Sequence, residues 1–196
     1  MAKFVYKYGA MNSGKSMAIL QMAYNYEENN KKVVLVKSCI DTKGGNYLVS
    51  RIGPRRKIGI FLNQDESLKD DKYLGIICDK DIILVDEAQF LTTKQVNDLW
   101  FIAKNMNKKV ICYGLKTNFK SEFFEGSKRL FEVADEIVKL ETLCSCGNKA
   151  EFNARKVNGK YITSGKEYVI DGEENIEYIP LCSKCYLNNV FLKKEW

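Results

Sequence analysis

Residues 9–16 read Gly9-Ala10-Met11-Asn12-Ser13-Gly14-Lys15-Ser16 and fit the pattern GxxxxGK[ST] at every fixed position. The aromatic and β-branched run from Phe4 to Tyr8 predicts a strand before it, and helical spacing of apolar residues from Lys15 to about Glu28 predicts a helix after it. In such a loop the backbone N–H groups point at phosphate oxygens, the lysine reaches the β- and γ-phosphates, and the serine hydroxyl can coordinate Mg²⁺. We therefore expect this segment to bind the phosphates of a nucleotide, with Lys15 and Ser16 in those two roles.

An acidic pair forms the second signal. The apolar run Ile82-Ile83-Leu84-Val85 predicts a buried strand that delivers Asp86 and Glu87 at its end. Ligands of open α/β sheets bind at this carboxyl edge. We expect Asp86 to hold Mg²⁺, directly or through water. Glu87 should point elsewhere, because neighbouring residues of a strand alternate between its faces.

The absence of histidine from all 196 residues excludes several classes of chemistry. A Ser–His–Asp triad, a Cys–His pair and an imidazole acid or base are all impossible. Glu87 is therefore the leading candidate to accept a proton from an attacking nucleophile. The net charge of +6 suits a phosphorylated ligand and is weaker than that of a typical nucleic-acid binder. It also fits a charged surface that only keeps the protein soluble.

Apolar runs and helical periodicity continue along the chain. Further strands are predicted at 32–36, 81–85, 109–113 and 136–140, and helices should begin at about Thr93 and Ser127. The inner face of the first of these helices is predicted to consist of Val96, Leu99, Trp100 and Ala103. Strands that alternate with helices predict an α/β fold of the P-loop NTPase type, a parallel sheet with helices on both faces.

The segment 41–59 has a different composition. Glycines are interspersed with lysines and arginines, which predicts a mobile basic loop or a solvated connector.

Four of the seven cysteines form two pairs separated by 35 residues near the C-terminus. Two such pairs, the first followed by glycine, are typical of a four-thiolate structural Zn²⁺ site, although free cysteines are the alternative. The predicted ligands are Cys144, Cys146, Cys182 and Cys185. We place a boundary near residue 141, between an α/β domain (1–140) and a small zinc-binding domain (141–196). The remaining cysteines, Cys39, Cys78 and Cys112, are predicted to be buried small hydrophobic residues.

The chain lacks a signal-peptide layout and any apolar run approaching the ~18 residues of a membrane span. With an odd number of cysteines, this favours a reducing compartment. We expect a cytoplasmic protein that binds no membrane.

These features together resemble the type II, zinc-containing thymidine kinases over nearly the whole chain. The matching segments are the phosphate loop, Asp86-Glu87-Ala88-Gln89-Phe90, Tyr113 to Phe119, Phe124 to Ser127, Ala134-Asp135, Lys139-Leu140 and Leu143 to Gly147. The short Cys-x-Cys pair resembles a bacterial subgroup of that family.

The resemblance implies transfer of the γ-phosphate of ATP to the 5′-hydroxyl of thymidine or deoxyuridine, with Glu87 as the catalytic base. It implies ATP, Mg²⁺ and structural Zn²⁺, and it places residues 9–16, Asp86 and Gln89 at the ATP site. The implied thymidine pocket consists of Met11, Phe90, Leu115, Phe119, Phe124, Val169, Ile170 and Tyr178. A zinc-tied loop, the lasso, would hold thymine largely by main-chain hydrogen bonds. A homotetramer and feedback inhibition by dTTP are implied as well, with no nucleic acid as a partner.

The chain departs from the family pattern at three places. Lys43 stands where relatives carry arginine, the segment from Val169 to Tyr178 is about two residues longer, and Cys185 stands where some relatives have histidine.

One alternative function stays open. Residues 86–89 also resemble a helicase motif, so the alternative is a P-loop ATPase acting on RNA or DNA. Helicases of that type need two such domains, however, and this chain has length for one.

Overall fold

The computed structural model describes residues 2–42, 44–51, 53–167 and 175–193. Its strands are β1 (Phe4–Tyr8), β2 (Val33–Ser38), β3 (Tyr47–Val49), β4 (Arg55–Lys57), β5 (Ile60–Leu62), β6 (Ile82–Asp86), β7 (Lys109–Gly114), β8 (Glu136–Lys139), β9 (Phe152–Val157), β10 (Lys160–Tyr161) and β11 (Ile176–Leu181). Its helices are α1 (Lys15–Glu28), α2 (Asp71–Cys78), α3 (Thr93–Asn105), α4 (Glu125–Val133) and α5 (Ser183–Asn189), with 3₁₀ turns at Ala88–Phe90 and Phe191–Lys193.

Six strands form the central sheet in the order β5-β2-β6-β7-β1-β8, and all neighbouring pairs are parallel. Side chains of each strand alternate between two apolar layers. On β1, Phe4 and Tyr6 pack with α2, α3 and α4, whereas Val5 packs with α1 on the opposite face. The predicted parallel sheet with helices on both faces is therefore confirmed.

The bounds of β1 and α1 and the start of α3 agree with the sequence prediction, and the other predicted strands and the start of α4 differ by one or two residues. Thr92 and Gln95 form a reciprocal capping box that fixes the start of α3. The predicted inner face of α3 is wrong at Trp100, which is 39% exposed and lies beneath the Arg129 guanidinium, while Ile102 is buried instead. β5 and α2 were not predicted, because they are short and carry no long apolar period.

The prediction of a basic loop over 41–59 is wrong in its centre. There β3 and β4 form an antiparallel hairpin. Leu48 and Ile58 are buried in the same apolar layer as α1, so this segment is attached to the core. A strand of three residues is too short for an alternation of buried and exposed residues to be detected in the sequence.

A second, smaller sheet follows the parallel one. It has the antiparallel order β10-β9-β11 and packs with α5. We call residues 142–167 and 175–193 the C-terminal unit. The proposed boundary at residue 141 stays a prediction. Contacts cross it, since the Thr142 hydroxyl donates to the carbonyl of Asn12 at 3.2 Å.

The three unpaired cysteines differ in burial. Cys112 is buried in β7, as predicted. Cys39 is only partly buried, and Cys78 is exposed because it lies at the solvent-facing end of α2, so the prediction is wrong for these two. In the part of the chain that the structure describes, no helix combines the length and apolar character needed to cross a membrane.

Candidate active site

The phosphate loop connects β1 to α1 at the carboxyl edge of the sheet. Gly14 has φ 75°, a left-handed conformation that glycine adopts without steric cost, and it places α1 directly behind the loop. The Lys15 ammonium group folds back onto the loop and donates to the carbonyls of Gly9 (3.3 Å) and Ala10 (3.1 Å). Burial lowers the pKa of Lys15, and the carboxylates of Glu87 and Asp86 oppose that shift. An anion at the loop would stabilise the ammonium form of this lysine.

Asp86 ends β6 and is 5% exposed. Burial, and then repulsion by Glu87, raises the pKa of Asp86 to about 8, while the ammonium group of Lys37 opposes the shift. Lys37 is opposite Asp86 in the register of β2 and β6, and its ammonium group lies 2.9 Å from the carboxylate of Asp41. Within the described residues, Asp86 Oδ1 is buried without a hydrogen-bond partner. A buried, unsatisfied carboxylate oxygen beside the phosphate loop fits a divalent cation such as Mg²⁺.

Glu87 follows with φ 47°, so the strand ends before it. The prediction that strand alternation turns Glu87 away from Asp86 is therefore wrong, and both side chains line the same cavity. The amide of Gln89 holds Glu87, because its Nε2 donates to the carboxylate at 2.5 Å. Gln89 Oε1 accepts from the N–H of Leu115 at 3.0 Å. Gln89 thus fixes the glutamate relative to the segment after β7.

Glycine at position 126 permits a close approach between α4 and the 3₁₀ turn. A Cβ atom there would lie 2.5 Å from the carbonyl oxygen of Ala88 and 2.6 Å from that of Leu91. The approach brings Phe124, just before α4, against Phe90 with their ring centroids 5.7 Å apart. Two of the predicted pocket residues are therefore in contact.

The phosphate loop and the aromatic residues share one cavity of about 990 Å³. Among the sequence-predicted site residues, those that line it are Met11, Asn12, Ser13, Gly14, Lys15, Ser16, Asp86, Glu87, Gln89, Phe90, Leu115, Phe119, Phe124 and Tyr178. Gly9 and Ala10 contact Lys15 from the start of the loop. Lys43, Val169 and Ile170 lie outside the described residues.

Sequence reasoning missed Asn153, which lines this cavity, and Arg155, which lies behind it; both belong to the C-terminal unit. Asn153, which is 4% exposed, accepts a hydrogen bond from the N–H of Met11 at 2.8 Å and donates to the carbonyl of Thr117 at 3.4 Å. Arg155 is buried behind the cavity, with its guanidinium 3.9 Å from the Phe119 ring centroid and 5.1 Å from that of Tyr178. Polar residues in a short strand have no motif, so the sequence carried no signal for either.

The four predicted zinc ligands are brought together in the C-terminal unit. The sulfur atoms of Cys144, Cys146, Cys182 and Cys185 all lie within 4.8 Å of one another. Hydrogen bonds from Asn148 lower the pKa of Cys146 to about 6, whereas the neighbouring thiols raise that of Cys185 to about 12. Four adjacent thiols cannot all ionise unless a cation compensates their charge. This donor set therefore fits Zn²⁺.

The sheet, the glycine-rich loop and the acidic pair define a P-loop enzyme that uses a nucleoside triphosphate. The aromatic part of the same cavity provides room for a second substrate. A family model described as thymidine kinase matches residues 2–186, and the chain belongs to the thymidine kinase family.

Curated relatives agree with this assignment. The chain is 41% identical to the thymidine kinase of Streptococcus pyogenes serotype M28, over 96% of this chain and 98% of the relative. It is 42% identical to the thymidine kinase of Streptococcus gordonii, over 95% and 96%. Among solved structures, DnaA from Aquifex aeolicus aligns with a TM-score of 0.43 and 15% identity, over 72% of this chain and 41% of that one, and this weak likeness supports no conclusion.

Proposed function

We propose that this protein transfers the γ-phosphoryl group of ATP to the 5′-hydroxyl of thymidine, and also of deoxyuridine, in nucleotide salvage. The observation that carries the proposal is that one cavity contains both the phosphate loop and an aromatic pocket, with Glu87 lining it as well. Membership of the thymidine kinase family supports the same reaction.

In this mechanism Glu87 accepts the proton of the 5′-hydroxyl as that oxygen forms a bond to the γ-phosphorus. The bond between this phosphorus and the β–γ bridging oxygen breaks, and ADP leaves with the electron pair. Gln89 holds the glutamate by its 2.5 Å hydrogen bond. Lys15 exchanges its loop carbonyls for phosphate oxygens, and the loop N–H groups orient the triphosphate. Mg²⁺ at Asp86 and Ser16 would neutralise phosphate charge when bound.

The base of the nucleoside would lie among Phe90, Phe124 and Leu115, with Met11 on the phosphate-loop side. Phe119 and Tyr178 complete the walls, and Arg155 supports both rings from behind. The aromatic walls favour a flat pyrimidine base over a nucleic-acid backbone.

The four clustered cysteines would bind a structural Zn²⁺ ion that ties off the segment 147–181 as a lasso. The spacing of the sulfur atoms supports this role. The ion would stabilise the C-terminal unit, and with it the side of the nucleoside pocket that Tyr178 forms.

Three further properties belong to the proposal through the resemblance to type II thymidine kinases. The protein would act in the cytoplasm, assemble as a homotetramer and be inhibited by its pathway end product dTTP. Light scattering at micromolar concentration tests the assembly. A competition series with dTTP against thymidine tests the inhibition.

A coupled assay of ADP release tests the reaction itself. ATP is supplied with thymidine, deoxyuridine, deoxycytidine, deoxyguanosine or single-stranded RNA in separate reactions. We expect turnover with thymidine and deoxyuridine. ATP hydrolysis that responds to RNA or DNA and ignores nucleosides would instead support the ATPase alternative, which family membership does not favour.

A further inference from the structure

The hairpin of β3 and β4 is held against the helix that follows the phosphate loop. Leu48 and Ile58 are buried in the apolar layer of α1. The guanidinium of Arg56 makes two hydrogen bonds to the carboxylate of Glu27 near the end of α1. The hairpin is therefore fixed at both of its sides.

Arg51 follows β3 at the turn of the hairpin and bridges the hairpin to the phosphate loop. One guanidinium nitrogen donates to the side-chain oxygen of Asn12 at 2.6 Å. Of the described residues that line the cavity, Arg51 is the only arginine, and it shares the cavity with Lys15 and Ser16. The side chain of Arg51 is exposed.

Arg51 and Lys15 bring two positive charges to the phosphate loop, and four carboxylates also line the cavity. The hydrogen-bond partner of Arg51, Asn12, is a neutral amide, so that bond leaves the positive charge of the guanidinium uncompensated. Arg51 is also close enough to Lys15 to contribute to the lowered pKa of its ammonium group. Two cations that converge on a glycine-rich loop repel each other until a phosphate lies between them.

We propose that Arg51 exchanges the amide of Asn12 for the γ-phosphate of ATP, so that the hairpin supplies a second cation to the phosphoryl group during transfer. A planar guanidinium presents two parallel N–H donors to two oxygens of one phosphate, a fixed fork geometry that the ammonium group of Lys15 lacks. The contact would strengthen as charge develops on the transferring group. The inference deepens the proposed kinase function and rests on it for the catalytic part only.

The test compares Arg51→Gln and Arg51→Lys with Arg55→Gln. Arg55 lies on the same hairpin and stacks on the Tyr47 ring at 5.2 Å, away from the cavity. Calorimetry measures the affinity for a non-hydrolysable ATP analogue and for ADP, and thymidine-dependent ADP release gives kcat. We expect Arg51→Gln to lower the affinity for the ATP analogue about 10- to 100-fold and to lower kcat about 10²- to 10³-fold. ADP affinity should change no more than about 3-fold, because only the γ-phosphate contact is lost.

Arg51→Lys should fall between the wild type and Arg51→Gln, and Arg55→Gln should match the wild type. Equal weakening of ADP and the ATP analogue would overturn the proposal, because it would show that Arg51 only positions the hairpin. Unchanged affinity for both nucleotides would overturn it too. Failure of the proposed function would give a different result, because the wild type would then release no ADP with thymidine. The difference in affinity between the ATP analogue and ADP could still be measured by calorimetry in that case.

Discussion

The parallel sheet and the C-terminal unit differ in what surrounds their strands. β2, β6 and β7 consist mainly of apolar residues and are buried on both faces beneath α1 to α4. The C-terminal unit has one small apolar cluster, around Ala154, Leu181 and Val190, and two of the four clustered cysteines belong to it. Hydrophobic stabilisation scales with the apolar area buried, and small cores usually need a disulfide or a metal to fold. We therefore expect the sheet to be stable by packing and the C-terminal unit to depend on its metal.

Removal of the metal should have the largest effect and should separate the two regions. Apparent binding free energies of structural Zn²⁺ in peptides are about 10–16 kcal/mol. Burial of the small apolar cluster in the C-terminal unit stabilises the fold by far less. In Cys146→Ser, we expect fast hydrogen exchange across β9 and β11 and loss of thymidine binding, while ADP binding is retained. Hydrogen exchange and calorimetry with each ligand measure this.

Cys78→Ser is the matched control, because Cys78 is an exposed cysteine on α2 outside the cluster. It should leave both regions unchanged. Loss of ADP binding together with thymidine binding in Cys146→Ser would contradict the separation. It would mean that the Asn153–Met11 hydrogen bond, at 2.8 Å, maintains the shape of the phosphate loop.

The second prediction concerns Glu87, the proposed proton acceptor, which follows β6 of the parallel sheet. Glu87→Gln preserves the size and hydrogen-bonding capacity of the side chain but removes the proton acceptor. We expect kcat to fall by about 10²- to 10⁴-fold, with nucleotide affinity nearly unchanged. Steady-state kinetics and ADP calorimetry check this. Glu132→Gln, on the exposed side of α4 in an ion pair with Arg129, serves as the control, and near-normal turnover of Glu87→Gln would exclude it as the base.

The third prediction compares the apolar layer beneath the parallel sheet with the small cluster of the C-terminal unit. In each of them, one buried side chain is replaced by alanine. Leu99 on α3 is fully buried in the layer beneath the sheet, so Leu99→Ala should lower the free energy of unfolding by about 2–5 kcal/mol. Val190→Ala removes less volume from the small cluster and should affect hydrogen exchange only in the C-terminal unit. Urea unfolding followed by exchange separates the two. Equal loss of global stability would show that the regions unfold together.

The same contrast explains what the sequence could predict. The parallel strands carry continuous apolar runs, and the loop at residues 9–16 carries a specific motif. The positions of the strands and of the loop therefore follow from local pattern, as does the placement of Asp86 at the same edge of the sheet. The four cysteines could be assigned from spacing, because metal ligation requires them to converge. These features need no knowledge of distant contacts.

The rest depends on tertiary contacts. Arg51 reaches the phosphate loop only because buried Leu48 and Ile58 fix its hairpin, and neither the strand pairing nor that burial has a sequence period long enough to detect. Glu87 was predicted to alternate along a strand that in fact ends one residue earlier. Arg155 lies in a strand of the small sheet with no motif around it.

Arg155 provides the last and smallest prediction, at the contact between the two regions. Its guanidinium lies over the rings of Phe119, which follows β7, and Tyr178, from the C-terminal unit. Its Nε is buried without an acceptor within the described part of the chain. A desolvated cation–π contact contributes about 2 kcal/mol, so we expect Arg155→Met to weaken thymidine binding by up to about 30-fold.

Stability should change little in Arg155→Met, because methionine fills a similar volume and removes an unsatisfied buried donor together with its charge. Affinity for ADP should match the wild type, since Arg155 does not line the cavity near the loop. Arg155→Lys keeps the charge but loses the flat stacking surface, so it should resemble the methionine variant in thymidine affinity. Thymidine and ADP calorimetry on both variants, with thermal unfolding, tests this. If the unfolding temperature of a variant falls enough to explain its loss of thymidine affinity, the prediction is wrong. Arg155 would then stabilise the C-terminal unit as a whole and would have no separate role in holding the two rings.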